Sequence, residues 1–171
     1  EGAELAKLLK KPKDVVTLTD KEIGPWAEKH TKNGQTDIIV TFGWFPTTLY
    51  TPGNAQPNGS VAEKFLEGGN IFLNTADYIF YVTLGGGANG EQGLKNMMDI
   101  NADMWSGGTA IKPTKDGGKY TPSLKAFTSE RTFKAAQMVK PWEVEIVFGD
   151  NGSGFLDPTI VHDTETDGRI G

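Results

Sequence analysis

Two short, continuously apolar runs constrain the fold of this chain more than any other feature of its sequence. They are DIIVTF at residues 37–42 and NIFLN at residues 70–74. A strand with one face in water alternates apolar and polar side chains, whereas an unbroken apolar run is typical of a strand covered on both faces. The two runs therefore predict interior strands of a mainly parallel sheet.

A helix is predicted between these two strands. Ser60 followed by Glu63 has the spacing of a capping box that opens a helix over residues 61–66, and Gly68 and Gly69 close it. One helix between two strands is the pattern of a right-handed crossover, which joins parallel neighbours. We therefore expect the two strands to pair in parallel.

The alternation of helix and strand continues on both sides of this unit. A first helix is predicted at residues 3–9 and is ended by Pro12. A helical turn capped by Asp20 holds Ile23, Trp26 and Ala27, and a further helix is predicted at residues 92–100. Strands are predicted at residues 14–19, 142–148 and 159–161. Residues 84–90 are predicted to form a flexible turn, and residues 106–123 an excursion from the core with a hairpin tip at residues 115–119. This pattern predicts one α/β domain, residues 1–171, with a mainly parallel sheet.

Aromatic and polar side chains follow both buried strands, at the carboxyl ends where ligands of parallel sheets bind. They are Trp44, Phe45 and Tyr50 after the first strand, and Asn74, Thr75, Asp77 and Tyr78 after the second. Aromatic faces beside amide, hydroxyl and carboxylate groups suit a polyhydroxylated or planar organic ligand, through stacking and directional hydrogen bonds. The alternative is that Trp44, Phe45 and Tyr78 only close the end of the core.

The charge balance and the absence of cysteine exclude several classes of function. Seventeen Lys plus Arg against 22 Asp plus Glu give a net charge of -5, so neither nucleic acid nor an anionic membrane surface is expected as a partner. No apolar stretch approaches the ~20 residues of a membrane-spanning helix. Zero cysteines rule out disulfides, thiolate metal ligands and a thiol nucleophile, and they leave the cellular location open.

No metal or cofactor is predicted. His30 and His162 lack neighbouring ligands at metal spacing, and the glycines of residues 85–90 lack the lysine of a phosphate-binding loop. Five acidic residues could attract Ca²⁺ but lack the spacing of the twelve-residue calcium loop. The prediction for them is a solvated acidic face made of Asp150, Asp157, Asp163, Glu165 and Asp167.

The segment 37–77 also resembles a known superfamily. Its two buried strands, the short helix between them, the pair Gly68-Gly69 and the polar elbow NTAD are similar to class I glutamine amidotransferase-like proteins, in particular the trehalose-utilisation branch. The resemblance extends over roughly residues 3–100. It implies a flavodoxin-like three-layer sandwich, and a cysteine nucleophile on the turn after the second strand. This chain has Asn74 and Thr75 at the corresponding positions.

The chain departs from the superfamily at its catalytic residues. The cysteine is missing, and His162 is followed by Asp163 and Thr164 rather than by the superfamily's His-x-Glu pattern. The resemblance therefore implies a domain without glutaminase activity. Such folds also open with a central strand before the first helix and continue beyond the position of Gly171, so we expect the chain to be truncated at both ends.

Two functions follow as hypotheses. The first is a non-catalytic amidotransferase-like domain that acts as a ligand-binding or interaction module, with a carbohydrate or another domain of the same protein as its partner. The second is a hydrolase or isomerase that uses Asp77 with Thr75 or Tyr78 as acid and base groups.

Overall fold

The structure, a computed structural model, describes residues 2–9 and 14–171, which contain five α-helices, 3-10 helices at Pro52–Asn54 and Ala135–Gln137, and twelve strands. The helices are α1 (Gly2–Leu8), α2 (Asp20–His30), α3 (Val61–Glu67), α4 (Gln92–Met98) and α5 (Lys115–Tyr120). The strands are β1 (Ile38–Thr41), β2 (Ile71–Asn74), β3 (Val82–Thr83), β4 (Gly87–Ala88), β5 (Trp105–Pro113), β6 (Phe127–Arg131), β7 (Phe133–Lys134), β8 (Trp142–Val147), β9 (Gly149–Asp150), β10 (Phe155–Leu156), β11 (Thr159–Asp163) and β12 (Arg169–Ile170).

The first sheet contains the predicted parallel pair. Its strand order is β1-β2-β12-β11-β8. β1 pairs with β2 in parallel from Ile38 opposite Ile71 to Thr41 opposite Asn74, so the expected pairing of these two strands is confirmed. β12 also runs parallel to β2, whereas β11 is antiparallel to both of its neighbours, β12 and β8.

The second sheet overturns the predicted fold class. It has the order β6-β5-β9-β10-β7 and is antiparallel throughout, and β3 and β4 form a separate antiparallel hairpin. The molecule is therefore a mixed α/β protein with mostly antiparallel sheets and a curled half-barrel. The prediction of a flavodoxin-like three-layer sandwich with a mainly parallel sheet is wrong, because hairpins formed by the second half of the chain supply antiparallel strands.

The segment predicted to be an excursion is structured. Residues 105–113 form β5, the longest strand, which pairs with both β6 and β9. The expected hairpin tip is the helix α5, whose N-cap Thr114 accepts a hydrogen bond from the backbone N–H of Gly117 at 3.1 Å. Capping thus outweighs the turn preference of the Asp-Gly pair in this segment.

The remaining local predictions have mixed outcomes. The helices α1 to α4 and the strands β8 and β11 confirm their predictions, whereas residues 15–19 form no strand. Pro12, the expected end of the first helix, lies outside the described residues. Ser60 caps α3 as predicted, and the Glu63 carboxylate also accepts a hydrogen bond from the backbone N–H of Gly59. Within the described ranges, no helix has the length and hydropathy needed to cross a membrane.

An aromatic core supports the end of the first sheet. Phe72 on β2 is fully buried, and its ring lies 5.4 Å from Phe65 of α3, 5.5 Å from Phe45 and 5.7 Å from Phe80, measured between ring centroids. Burying one such ring contributes about 1.5–3 kcal/mol. Phe45 and Phe80 belong to the segments that follow β1 and β2, so this core fixes the position of both segments.

Candidate functional site

Two neighbouring cavities lie beyond the carboxyl ends of β1 and β2 and share the side chains of Asp77 and Arg131. The larger cavity has a volume of about 720 Å³ and lies between the segment after β2 and residues of the second sheet. The smaller one, about 250 Å³, is called the aromatic cavity here. Its wall includes Trp44, Asp77, Tyr78, Tyr81, Trp105 and Arg131.

The loop after β1 is held by side chains from distant elements. Asp20 at the start of α2 accepts hydrogen bonds from the backbone N–H and the hydroxyl of Thr47, at 2.5 and 2.7 Å. Thr19, rather than the predicted Asp20, is the N-cap residue of α2, and the Glu22 carboxylate accepts from its backbone N–H at 2.9 Å. The Asp20 carboxylate is therefore free of capping and serves as an anchor for the loop that carries Trp44.

The aromatic cavity has rings with accessible faces. Tyr78, Tyr81 and Trp105 pack against one another with centroids 5.0 to 5.6 Å apart. Trp105 is 39% exposed and Trp44 is 58% exposed, so both indoles present surface to solvent. Contact between a ligand and an exposed aromatic face is favourable, because it removes apolar surface from water.

Arg131 lines both cavities, and three neighbouring groups contact its guanidinium. Its Nε donates to Oδ1 of Asp77 at 2.7 Å, and its Nη1 donates to the carbonyl oxygen of Glu130 at 2.9 Å. The guanidinium carbon lies 4.2 Å from the ring centroid of Trp105, within cation–π distance. The second sheet thus places the guanidinium of Arg131 in a fixed position beside the elbow that follows β2.

Asp77 has the backbone conformation of a turn residue. Its φ is 51°, a left-handed conformation that Asp tolerates because its side chain bonds to nearby backbone. Oδ1 of Asp77 accepts from the backbone N–H of Tyr78 at 2.8 Å as well as from Arg131. This carboxylate is therefore both a turn-forming group and half of an ion pair.

The larger cavity contains a second polar pair, Ser129 and Asp157. The Ser129 hydroxyl donates to Oδ2 of Asp157 at 2.5 Å, and it accepts from the backbone N–H of Arg131 at 3.1 Å. Burial raises the pKa of the Asp157 carboxyl above its ordinary value, and the hydrogen bond from Ser129 opposes that shift. A carboxyl group in such surroundings holds its proton to higher pH than a solvated one.

The predicted site residues divide between the cavities and the core. Trp44, Asp77 and Tyr78 line the aromatic cavity, and Asn74, Thr75 and Asp77 line the larger one. Phe45 and Tyr50 are fully buried in the core instead. Phe45 and Tyr78, which is 3% exposed, therefore close the end of the core, as the alternative interpretation expected. Trp44 is exposed, so that interpretation is wrong for Trp44.

Hydrogen bonds of Asn74 and Thr75 hold the elbow in shape. The Asn74 amide donates to the carbonyl oxygens of Ala76 and Asp77, at 2.8 and 2.7 Å, and its Oδ1 accepts from the Thr41 hydroxyl. The Thr75 hydroxyl donates to the Thr41 carbonyl at 3.2 Å. Burial raises the pKa of the Tyr78 hydroxyl well above its usual range, so this group keeps its proton.

Sequence reasoning missed the contribution of the second sheet. Trp105, Ser129, Arg131 and Asp157 lie 28 or more positions beyond Asp77 and form no motif with it. One signal was present, since the chain has only two arginines, Arg131 and Arg169. A scarce guanidinium group is a candidate for a specific contact.

The predicted acidic face is not uniformly solvated, and each of the two histidines contacts a nearby side chain. Asp157 lines a cavity and Asp163 is buried, so a solvated face is the wrong description for these two carboxylates. His30 stacks on Trp26 at 4.0 Å, and His162 contacts Asp167 at 2.9 Å. Over residues 2–9 and 14–171, no group of three or more His, Asp or Glu side chains could hold a metal ion.

No protein-family model matches this sequence, and comparisons with curated proteins and with solved structures found no match. The similarity to amidotransferase-like proteins therefore stays a resemblance carried by residues 37–77.

Proposed function

We propose that this protein is a binding module for a neutral carbohydrate or a similar polyol, held in the aromatic cavity. One observation carries the proposal: the exposed indoles of Trp44 and Trp105 line the same cavity as the Asp77–Arg131 ion pair. The apolar face of a sugar ring stacks on an indole, and its hydroxyls need donors and acceptors at the ring edge. The cavity offers both kinds of contact.

The charge of the site favours a neutral ligand. The carboxylate of Asp77 compensates the guanidinium of Arg131, with 2.7 Å between Oδ1 and Nε, so an anionic ligand would compete with Asp77 for the same cation. A hydroxyl group can donate to the carboxylate and accept from the guanidinium without displacing either. Arg131 has five N–H donors, and Nε and Nη1 are the nitrogens engaged by Asp77 and Glu130.

The alternative of a hydrolase or isomerase has less support. Its acid–base chemistry needs Asp77 beside a group that exchanges a proton near neutral pH, and the ion-pair partner of Asp77 is a permanently charged guanidinium. The Thr75 hydroxyl donates to a backbone carbonyl, and Tyr78 is buried with a raised pKa. A binding role without catalysis accounts for these contacts more simply.

Calorimetric titration against a panel of neutral mono- and disaccharides tests the proposal. The wild-type protein is expected to bind at least one sugar, and Trp44→Ala to weaken that binding about fivefold, since one stacking contact contributes about 1 kcal/mol. Tyr120→Ala is the matched control, because Tyr120 is as exposed as Trp44 and lies on α5, outside both cavities. Absence of heat for every sugar, or equal weakening by both variants, would reject a sugar site at Trp44.

A further inference from the structure

The larger cavity has the dimensions of a ligand site in its own right. Small-molecule pockets measure about 300–1,000 Å³. The larger cavity, at about 720 Å³, lies within this range, whereas the aromatic cavity, at about 250 Å³, lies below it. Asp77 and Arg131 line both cavities, so the two cavities adjoin at this ion pair.

Asp157 is rigidly placed in the wall of the larger cavity. Its backbone N–H donates to the carbonyl oxygen of Gly149 at 3.0 Å, and Oδ2 accepts from Ser129. A Cβ at position 149 would overlap the carbonyl oxygen of Asp157, so the close approach of β9 to the segment after β10 requires glycine there. These contacts fix the carboxyl group before any ligand arrives.

Asp157 also has bonding capacity to spare. The hydrogen bond from Ser129 goes to Oδ2 of Asp157. Oδ1 accepts no hydrogen bond from the described residues. A carboxylate oxygen accepts from a hydroxyl, and a protonated carboxyl group can donate to one. Apolar side chains of Ile79, Met104 and Leu156 line the same cavity and can cover the C–H face of a ring.

We propose that the larger cavity is a second subsite, in which Asp157, oriented by Ser129, binds a hydroxyl group of a second sugar unit. This inference rests on the proposed function, and it narrows the ligand class from single sugars to saccharides of at least two units. The Asp77–Arg131 pair then lies beside the linkage between the two units. The first unit occupies the aromatic cavity against Trp44 and Trp105.

Titration of the full chain with glucose, maltose and cellobiose tests the subsite. We expect at least one disaccharide to bind about tenfold more tightly than glucose. Asp157→Ala should abolish this gain, because Asp157 lines the larger cavity and does not line the aromatic cavity. Asp116→Ala, which removes an exposed aspartate of α5, is the control and should keep the gain.

The possible failures are distinguishable. If no sugar binds, the proposed function fails, and the subsite fails with it. If sugars bind but glucose and both disaccharides have equal affinities, or if Asp157→Ala weakens glucose and disaccharide alike, the second subsite is rejected and the first stands. If Asp157→Ala does not fold, Asp157→Asn replaces it, because asparagine keeps the shape of the side chain. In this variant the ratio of disaccharide affinity to glucose affinity is expected to fall from about tenfold to about fivefold or less.

Discussion

Nε of Arg131 lies 2.7 Å from Oδ1 of Asp77, although 54 positions separate the two residues in the sequence. Asp77 belongs to the elbow after β2, and Arg131 ends β6 in the other five-stranded sheet. The ion pair therefore connects the parallel part of the molecule to its antiparallel part. It also lies on the boundary of both cavities.

Replacing Arg131 by alanine should weaken ligand binding much more than it weakens the fold. Loss of charged hydrogen bonds to a ligand corresponds to about 1.5–3 kcal/mol, which is roughly tenfold or more in affinity. The side chain of Asp77 is 69% exposed, so loss of the ion pair should lower the free energy of unfolding by about 1 kcal/mol or less. Titration calorimetry and urea denaturation measure the two effects.

Arg169→Ala is the control for this prediction. The chain's other arginine makes two hydrogen bonds to Glu145, at 2.8 and 3.0 Å, and neither residue lines either cavity. This variant should leave sugar affinity unchanged. A loss of affinity in Arg169→Ala as large as in Arg131→Ala would show that the effect is not local to the cavities.

Truncation of two neighbouring aromatic residues in the loop after β1 should destabilise the protein to very different extents. Phe45 is 1% exposed and lies 4.4 Å from Phe80 between ring centroids, so Phe45→Ala should destabilise the protein by about 3–5 kcal/mol. Trp44→Ala should cost less than about 1 kcal/mol, because most of that indole is already in water. Thermal melts of both variants check the contrast, and a large loss of melting temperature in Trp44→Ala would mean that Trp44 is part of the core.

The part of the fold that sequence reasoning recovered depends on local, strongly apolar signals. β1 and β2 are unbroken apolar runs joined by a capped helix, and this pattern has few structural solutions. β5 carries the sequence WSGGTAIKP, whose glycines and polar residues indicate a loop. Its strand structure comes from long-range pairing with β6 and β9, and periodicity within one segment does not report such pairing.

The candidate site also divides into residues with a local sequence signal and residues placed by long-range pairing. Trp44 and Asp77 were found because both lie directly after predicted strands, at an edge where loops meet. Phe45 has the same sequence context as Trp44, and only the three-dimensional packing separates a buried ring from an exposed one. Arg131 and Asp157 reach the cavities through antiparallel pairing that the predicted parallel topology did not contain.

Asp157 should make stability depend on pH in a defined direction. Burial raises its pKa in the folded protein above the ordinary value of about 3.9. Between these two pKa values the folded state binds more protons than the unfolded state, so the free energy of unfolding falls as pH rises from about 4 toward the raised pKa. Asp157→Asn removes this titration and keeps an oxygen that accepts from Ser129.

Urea denaturation of wild type and Asp157→Asn across this pH range measures the difference. The variant should be more stable than wild type at pH 7, and the difference should shrink as the pH falls below about 4. Asp116→Asn, at an exposed position, should follow the wild-type curve. Parallel curves for wild type and Asp157→Asn would show that the Asp157 carboxyl carries no burial penalty.

Glutaminase activity should be undetectable. The chain has no cysteine, and the Thr75 hydroxyl at the elbow donates to the carbonyl oxygen of Thr41 rather than to a base. A hydroxyl group without an adjacent base is a weak nucleophile. Purified protein should release no ammonia from glutamine above background, and a cysteine-directed inhibitor should have no effect. Ammonia release that Thr75→Ala abolishes would contradict this prediction.

Adjacent glycines of α5 should give effects of opposite sign when replaced by alanine. A Cβ at Gly117 would overlap the carbonyl oxygen of Phe148, which also accepts from the backbone N–H of Thr114 at 2.9 Å. Backbone atoms cannot yield as a side chain can, so Gly117→Ala should destabilise the protein by about 1–3 kcal/mol. A Cβ at Gly118 would have no atom within 4 Å, and alanine there should stabilise the helix by about 0.5–1 kcal/mol.

Urea denaturation of the two variants distinguishes the helix α5 from the hairpin tip that the sequence favours at residues 115–119. In an Asp-Gly hairpin turn of the usual type, the two central residues have positive φ, so Gly117 would be strained by a side chain whatever its surroundings. Gly118→Ala would then not stabilise the protein, because residue 118 would not be helical and alanine's higher helix propensity would have no effect. A stabilising Gly118→Ala beside a destabilising Gly117→Ala is expected only if residues 115–120 are helical and packed against Phe148.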